Sequence, residues 1–529
     1  MAEDHARIVI VGGGAIGCSL AFHLAEAGVD DVLLLEKEQL THGSTWHAAG
    51  LVGQLRGKRN LTRLMQNSVA VFDRLERVTG QAVDWHKVGS LRVASSAARW
   101  SEIKRALTQA KGFGFEAHVL SAQEAKTLFP YMTTAGVVGA AFMPSDGYVD
   151  PYSLTQAYAK GARAGGVRIR EGVRVTDIVT DGNRVTEVVT DHGRIACDVL
   201  VNCAGIWAKR IGEMAGVPIA AAAVAHQYLV TEKTIDFAPG LPTFRDPDHN
   251  FYLKPEIKAF AVGGWETGAP GCWREGVPFE FARELFPSDF DRFEAIALPA
   301  AERIPLLGEV GIQSLINGPI PVSADGEPIM GPVPGLENFF IGCGFTAGIA
   351  ASGGAGQALA AWILDGDPGM DLWAFDLRRF GPQQANRRFL EARAVESYGR
   401  YYAIHWPGEE MASGRPLRRS PLYDRLLAAG AVYGSKFGWE RPNWFARPGE
   451  DARDCPSFED KPNWFDAVGR ECRAVRNGVA LIDQPGAGGG YFENLLEGSC
   501  AKRARTRARN AYPDRTAEVR HQHADHRIA

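Results

Sequence analysis

The chain has 529 residues, with 58 basic side chains against 62 acidic ones and a formal net charge of −4. With 45% hydrophobic and 23% charged residues, its composition is that of an ordinary water-soluble globular protein, long enough to bury several cores. The near balance of charge creates no overall basic field, which removes nucleic acid as the default partner, and no apolar run reaches the roughly 18 residues that a membrane span needs.

Ile8-Val-Ile-Val11 is a short β-branched run of the kind that forms a buried parallel strand. It leads straight into glycines, so it reads as a strand and not as the apolar part of a signal peptide, and a cytoplasmic location is expected. Gly12-Gly-Gly14-Ala-Ile-Gly17 follows, then a helical stretch from about Cys18 to Ala27 that Gly28 can end. A second apolar run, Val32 to Leu35, closes on Glu36 and completes one βαβ unit. Residues 166–180 and 184–189 are expected to pair as strands about an Asp181-Gly182 turn. Asp198 to Gly205 reads as a further buried strand, and 220–264 as a largely antiparallel sheet. Phe339 to Gly344 is a last apolar strand, and Ala347 to Leu364 a small-residue helix.

Beyond about residue 371 tryptophan, arginine and proline dominate, and Pro-Asn-Trp-Phe occurs at 442–445 and again at 462–465. Two copies of a tetrapeptide do not make a repeat architecture. From Pro485 the chain turns glycine-rich and then basic, through Lys502 to Arg509, with too few aliphatic residues for a core; it is expected to be a disordered, solvated tail. The eight cysteines are scattered and none forms C-x-x-C, which points to reduced thiols and to no metal site or redox dithiol.

The glycine motif carries the first chemistry. Gly12 permits a tight turn, Gly14 lets backbone approach a pyrophosphate, and Gly17 allows close helix–strand packing. The helix that follows offers free N–H groups and partial positive charge to the phosphates. Glu36 stands about 20 residues beyond Gly17, where an acid accepts a hydrogen bond from a ribose hydroxyl. The pattern predicts dinucleotide binding without separating NAD from FAD. Gly43-Ser-Thr-Trp-His-Ala-Ala-Gly-Leu51 adds small residues that admit a planar ligand, with Trp46 and His47 among them. On its own His47 can be a hydrogen-bonded core residue, a general base or a nucleophile.

These segments, with Leu34-Leu-Glu-Lys37, Asn202-Cys-Ala-Gly-Ile-Trp-Ala208, His226-Gln-Tyr-Leu-Val-Thr231, Asp325-Gly-Glu-Pro-Ile-Met-Gly-Pro332 and Gly344-Phe-Thr-Ala-Gly-Ile349, resemble the dimethylglycine and sarcosine dehydrogenases, and the related 4-methylaminobutanoate oxidases. The likeness extends to about Gln484. It implies an α/β fold: a discontinuous Rossmann-like FAD-binding domain (1–85, 145–220 and 325–370) with an inserted β-rich substrate domain (86–144 and 221–324), as in the D-amino-acid oxidase-like flavoproteins. A connecting module would occupy 371–484 and the tail 485–529.

In that family the histidine of the Ser-Thr-Trp-His segment is bonded to the flavin 8α-methyl group, which implies a covalent FAD on His47. The remaining flavin contacts carry over to Ala15, Ile16, Glu36, Lys37, Gly43, Ser44, Thr45, Trp46, Ala48, Ala49, Gly50, Leu51, Val173, Ile206, Gly344, Phe345, Thr346, Ala347, Gly348 and Ile349. Family members also use a histidine and a tyrosine near the flavin; His226 and Tyr252 match, the first to take the substrate's ammonium proton and the second to hydrogen-bond its carboxylate. A structural histidine and an aromatic strand residue are the plain alternatives. Lys254 is a further candidate for the carboxylate, or a lysine facing solvent.

The resemblance implies oxidative demethylation of a small N-methylated amino acid, by hydride transfer to flavin and release of formaldehyde, with oxygen or a carrier flavoprotein as acceptor. The alternatives are an oxidase of another secondary amine such as 4-methylaminobutanoate, or a regulatory, non-catalytic binding module of flavoprotein descent. Complete members continue into a folate-binding domain. Here Val479 to Ile482 resembles its opening strand and the basic tail follows, so that domain is expected to be missing and tetrahydrofolate is not an expected partner.

Overall fold

The structure is a computed structural model that describes residues 4–237, 239–480, 482 and 483. The expected tail from 485 lies outside the described residues. The chain forms two compact units: one runs to Leu417 and includes Arg453–Asp466, and the other comprises Arg418–Ala452 and the residues from Ala467 on.

The first unit holds two large sheets. In the eight-stranded sheet the strands Phe339–Cys343, Gly193–Asn202, Asp4–Val11, Val32–Leu35 and Arg168–Arg170 lie side by side and parallel. Ile8 to Leu35 supplies the reason: Ile8, Val9, Ile10, Val32, Leu33 and Leu34 are all buried, so successive side chains enter cores on both faces, as a helix-covered parallel sheet requires. Helix Ala15–Glu26 covers one face together with Pro151–Ala164 and the small-residue helix Gly348–Asp365. The first helix begins earlier than the sequence signals indicate, because Gly14 in extended conformation already serves as its N-cap.

The expected pairing of 166–180 with 184–189 is split in two. Arg168–Arg170 joins the parallel sheet beside Val32–Leu35, and only Val175–Asp181 forms the hairpin with Arg184–Thr190. That hairpin continues into Gly193–Asn202, so the buried strand ending near Gly205 starts five residues before Asp198.

The nine-stranded sheet draws on 90–143 and 221–323 and is antiparallel except where Thr243–Asp246 runs parallel to Ser90–Ala94. The two-residue period of a strand sorts its side chains. Phe251 and Leu253 enter a core with Phe129, Phe244 and Phe260, while Tyr252 between them faces the opposite side. One row of that opposite face reads Tyr228, Gly263, Tyr252, Arg245, Arg92 and Ala141, each the cross-strand partner of the next. This row positions the site.

In the second unit Ala431–Lys436 and Trp439–Phe445 form a hairpin, whose turn residues Phe437 and Gly438 both have positive φ. The two Pro-Asn-Trp-Phe copies fold differently: the first ends this hairpin with Trp444 buried, the second opens helix Trp464–Asn477. Of the expected strand Val479 to Ile482, residues 479, 480 and 482 are not in a strand, and Leu481 lies outside the described residues.

Candidate active site

A cavity of about 980 Å³ runs from the glycine motif to the row on the second sheet. At one end Gly12 has φ +112°, and a Cβ there would meet the Cys203 carbonyl oxygen at 2.5 Å; a Cβ on Gly17 would meet the Gly12 carbonyl oxygen at 2.0 Å. Only glycine fits either position, because neighbouring backbone packs directly against both, while Gly12 and Gly14 line the cavity. Helix Ala15–Glu26 points its N-terminus at this end with no side-chain cap and no acid in its first turn. Glu36 lines the cavity, its Oε2 accepting from the Gly13 N–H at 2.8 Å and its Oε1 from the Glu38 N–H at 3.0 Å. Burial raises its pKa, against the hydrogen bonds. Lys37 also lines the cavity, its Nζ donating to the Phe281 carbonyl at 2.7 Å above the Trp207 ring.

The loop 43–51 forms the middle of the wall. His47 is 5% exposed and its Nε2 is a buried atom without a hydrogen-bond partner. Desolvation lowers its pKa to about 4, so the ring is neutral at pH 7, and the residue lines the cavity. An orphaned buried nitrogen of this kind calls for a bound partner. Beyond the loop, helix Gly348–Asp365 offers a second uncapped N-terminus, at Ala347. Bare glycine backbone, two uncapped helix starts, an acid at the strand end and an orphaned imidazole together fit a dinucleotide with an aromatic ring system.

Nearly every cofactor residue nominated from the sequence lines this cavity, including Val173, Ile206 and Gly344 to Ile349. Two do not. Gly17 acts through packing alone, and Trp46 turns its ring edge-on to His47 with Arg283 over its face. Lys254 is also placed elsewhere: its Nζ pairs with Glu256 at 2.8 Å and lies over the Tyr148 ring.

At the far end His226 Nε2 is 2.9 Å from Tyr252 Oη and His226 Nδ1 is 2.8 Å from Tyr398 Oη. Tyr398 Oη is in turn 2.8 Å from Glu266 Oε2, and Arg292 Nη1 sits 3.1 Å from Glu266 Oε1. Burial, then the neighbouring His47 and Arg292, depress the His226 pKa to about 3. Burial raises Glu266 and both tyrosines. Trp265 stacks on His226 at 4.8 Å and on Tyr401 at 4.0 Å, so Tyr252, Trp265, Tyr401 and Tyr402 give this part of the wall an aromatic surface.

Beside Tyr252 in the cross-strand row stand Arg245 and Arg92, both lining the cavity. Among the described residues Arg245 has no carboxylate within ion-pair distance, and Arg92 reaches only Glu102, at 3.6 Å, a carboxylate that Arg99 holds at 2.6 Å. Sequence reasoning missed Arg92, Arg245, Glu266, Arg292 and Tyr398. The available signal was strand alternation: Tyr252 sits between Phe251 and Leu253, which enter the core, and Arg245 follows Phe244, which does too.

Residues 7–362 match the family profile described as FAD dependent oxidoreductase, and 365–420 match the central domain of FAD dependent oxidoreductases. The chain belongs to the FAD dependent oxidoreductase family. It is 38% identical over 490 residues to rat mitochondrial dimethylglycine dehydrogenase, covering 91% of this chain and 57% of that one. Identity to mouse mitochondrial sarcosine dehydrogenase is 41% over 448 residues (83% and 48%). Identity to the formaldehyde-forming 4-methylaminobutanoate oxidase of Paenarthrobacter nicotinovorans is 38% over 483 residues (90% and 58%). The chain thus spans about half the length of the curated relatives it matches. The fold is shared with L-proline dehydrogenase from P. horikoshii, at TM-score 0.64 and 24% identity, over 71% of this chain and 98% of that one.

Residues 422–490 match the GCVT N-terminal domain. This corrects the expectation that the domain is missing: its match begins at 422, well before Val479, and takes in the hairpin Ala431–Phe445.

Proposed function

We propose that this FAD-dependent oxidoreductase demethylates a small N-methylated amino acid of the dimethylglycine or sarcosine class, releasing formaldehyde, with its FAD attached through His47. The observation that carries the reading is the juxtaposition, in one cavity wall, of an aromatic surface with two guanidinium groups: Arg245, which interacts with buried Asp146 without a direct ion pair, and Arg92. Tyr252, Tyr401 and Tyr402 line the wall with aromatic surface for a methylated ammonium group, and Trp265, stacked between His226 and Tyr401, holds that surface in place. Arg245 and Arg92, one and two strands along, offer planar donor pairs to a carboxylate. Both ends of a short amino acid are thereby recognised.

Bound FAD supplies the hydride acceptor for the N-methyl carbon. The residues of the chain do the rest. The arginines fix the carboxylate, the rings exclude water and orient the nitrogen, and Tyr252 with His226 accepts the proton that must leave before the lone pair can assist hydride departure. Tyr252 is thus assigned to the amine and the arginines to the carboxylate. The neutral, orphaned His47 Nε2 is the nucleophile available for a covalent link. The segment 422–490 makes tetrahydrofolate a candidate recipient of the one-carbon unit.

The test is anaerobic mixing of the holoprotein with dimethylglycine, sarcosine and 4-methylaminobutanoate, with and without tetrahydrofolate, followed by flavin absorbance and formaldehyde release. Bleaching with stoichiometric formaldehyde supports the proposal. Flavin that dithionite reduces but none of the three acids bleaches defeats it.

A further inference from the structure

His226 cannot store a proton at neutral pH, since burial, with the Arg292 guanidinium nearby, opposes its imidazolium form. The amine proton must therefore travel further, and the structure supplies a route. Tyr252 Oη, His226 Nε2, His226 Nδ1, Tyr398 Oη and Glu266 Oε2 form an unbroken buried series with contacts of 2.9, 2.8 and 2.8 Å. We propose that Tyr398 and Glu266 complete a proton wire that carries the substrate's ammonium proton through Tyr252 and His226 to the Glu266 carboxylate.

The inference rests on the amine-oxidising reading above. Its polarity is fixed at one end, because an ionised Glu266 can only accept. Tyr398 then donates to Glu266, His226 Nδ1–H donates to Tyr398, and Tyr252 donates to Nε2. One shift along the series breaks the ammonium N–H bond and forms the Tyr252 O–H bond. The Tyr252 proton moves to Nε2, the Nδ1 proton to Tyr398, and the Tyr398 proton to Glu266. The result is a neutral amine, a neutral Glu266 and His226 in its other tautomer, with no net change of charge on the ring.

The environment supports the terminal role. Glu266 is 4% exposed, and burial raises its pKa above the ordinary carboxylate value, which makes it a stronger proton acceptor. Arg292 faces it from helix Phe290–Arg303 and keeps it ionised in the resting state, with Asp289 balancing Arg292 from the far side. His47, Arg292, Tyr252 and Tyr398 are the titratable or charged groups that face His226.

The experiment uses the holoprotein, wild type against Glu266→Gln and Tyr398→Phe, with flavin reduction by sarcosine followed in a stopped-flow instrument from pH 6 to 10. At pH 7 both variants should reduce flavin about 100-fold more slowly, the usual scale of general-base assistance. Near pH 10, where an alkylamine is already deprotonated, their rates should converge on that of wild type. An equal loss at every pH marks a structural role and overturns the wire, as does an unchanged profile. Mixtures of light and heavy water give a check on the unaltered protein: a curved rate dependence reports several protons in flight, and a linear one overturns the series. Should no N-methylated acid bleach the flavin, the activity reading fails separately. The wire is then read by 15N NMR, which should place the proton on His226 Nδ1 between pH 5 and 8 and shift in Tyr398→Phe; a proton on Nε2 instead overturns it.

Discussion

The His47 ring lies against the bare backbone of Gly318, where an added Cβ would stand 2.7 Å from its Cε1. Gly318 is also the cross-strand partner of His226, so one position on the strand Ile312–Ser323 sets the spacing between the loop 43–51 and the His226 end of the cavity. Gly318→Ala should displace the His47 ring and lower covalent flavin incorporation, with FAD still bound through the glycine motif. His47→Ala should abolish the bond outright. Acid precipitation followed by peptide mapping reads both: wild type should retain flavin on the His47 peptide, and the variants should release it to the supernatant.

The carboxylate assignment makes a second prediction. Arg245→Gln removes a charged donor pair at a cavity wall, a loss of about 1.5–3 kcal/mol in binding, or roughly 10- to 150-fold in KM. Arg92→Gln should act in the same direction and less strongly, because Glu102 already engages Arg92. N-methylated amines that lack a carboxylate should lose nothing. Comparing sarcosine with its methyl ester on wild type and variants is the measurement; equal effects on acid and ester would remove Arg245 from substrate binding.

Tyr252 leans over Gly263 so closely that a Cβ there would approach its phenol oxygen to 2.3 Å. Gly263→Ala must therefore push Tyr252 away from His226, whereas Tyr252→Phe removes the hydroxyl and leaves the ring in place. Both should slow flavin reduction, and overpacking should cost Gly263→Ala about 1–3 kcal/mol of stability that Tyr252→Phe keeps in larger part. Stopped-flow reduction and urea unfolding of the two variants separate the effects.

The nucleotide half of the site was legible because its chemistry is written contiguously. Gly12 to Gly17, Glu36 and 43–51 each carry a local constraint that survives without knowledge of the fold. The substrate half was not. His226 and Tyr252 were reached only through the family resemblance; Arg92, Arg245, Glu266, Arg292 and Tyr398 lie on five separate segments, and only strand register brings Arg92 and Arg245 into one row with Tyr252. Lys254 shows the converse. Two residues from Tyr252 on the same strand, it is drawn off by Glu256, a partner whose placement no spacing rule specifies. The hairpin at Phe437-Gly438 escaped for a different reason, since its first turn residue is an aromatic one at positive φ and not asparagine or aspartate.

The ion pair beneath the row should govern stability. Asp246 is fully buried and its Oδ2 is 2.8 Å from both Arg303 Nε and His249 Nδ1. Arg303 also donates to the Thr133 and Ala135 carbonyls and to Ser95 Oγ, tying helix Phe290–Arg303 to the sheet edge. Burial alone would raise the Asp246 carboxyl, but the hydrogen bonds from His249 and Arg303 outweigh it and hold it below its ordinary value. The same contact raises His249. A depressed acid stabilises the fold above its unfolded value of about 3.9 and loses that contribution as pH falls through the folded value. A raised histidine contributes fully below about 6.5 and loses it as pH rises through its folded value. The pair therefore contributes most between roughly pH 4 and 6.5. Asp246→Asn strands a buried guanidinium and should cost about 3–5 kcal/mol. Urea unfolding at several pH values should give the largest gap between wild type and variant inside that window, narrowing on both sides; a gap independent of pH would mean that neither group's titration is coupled to folding.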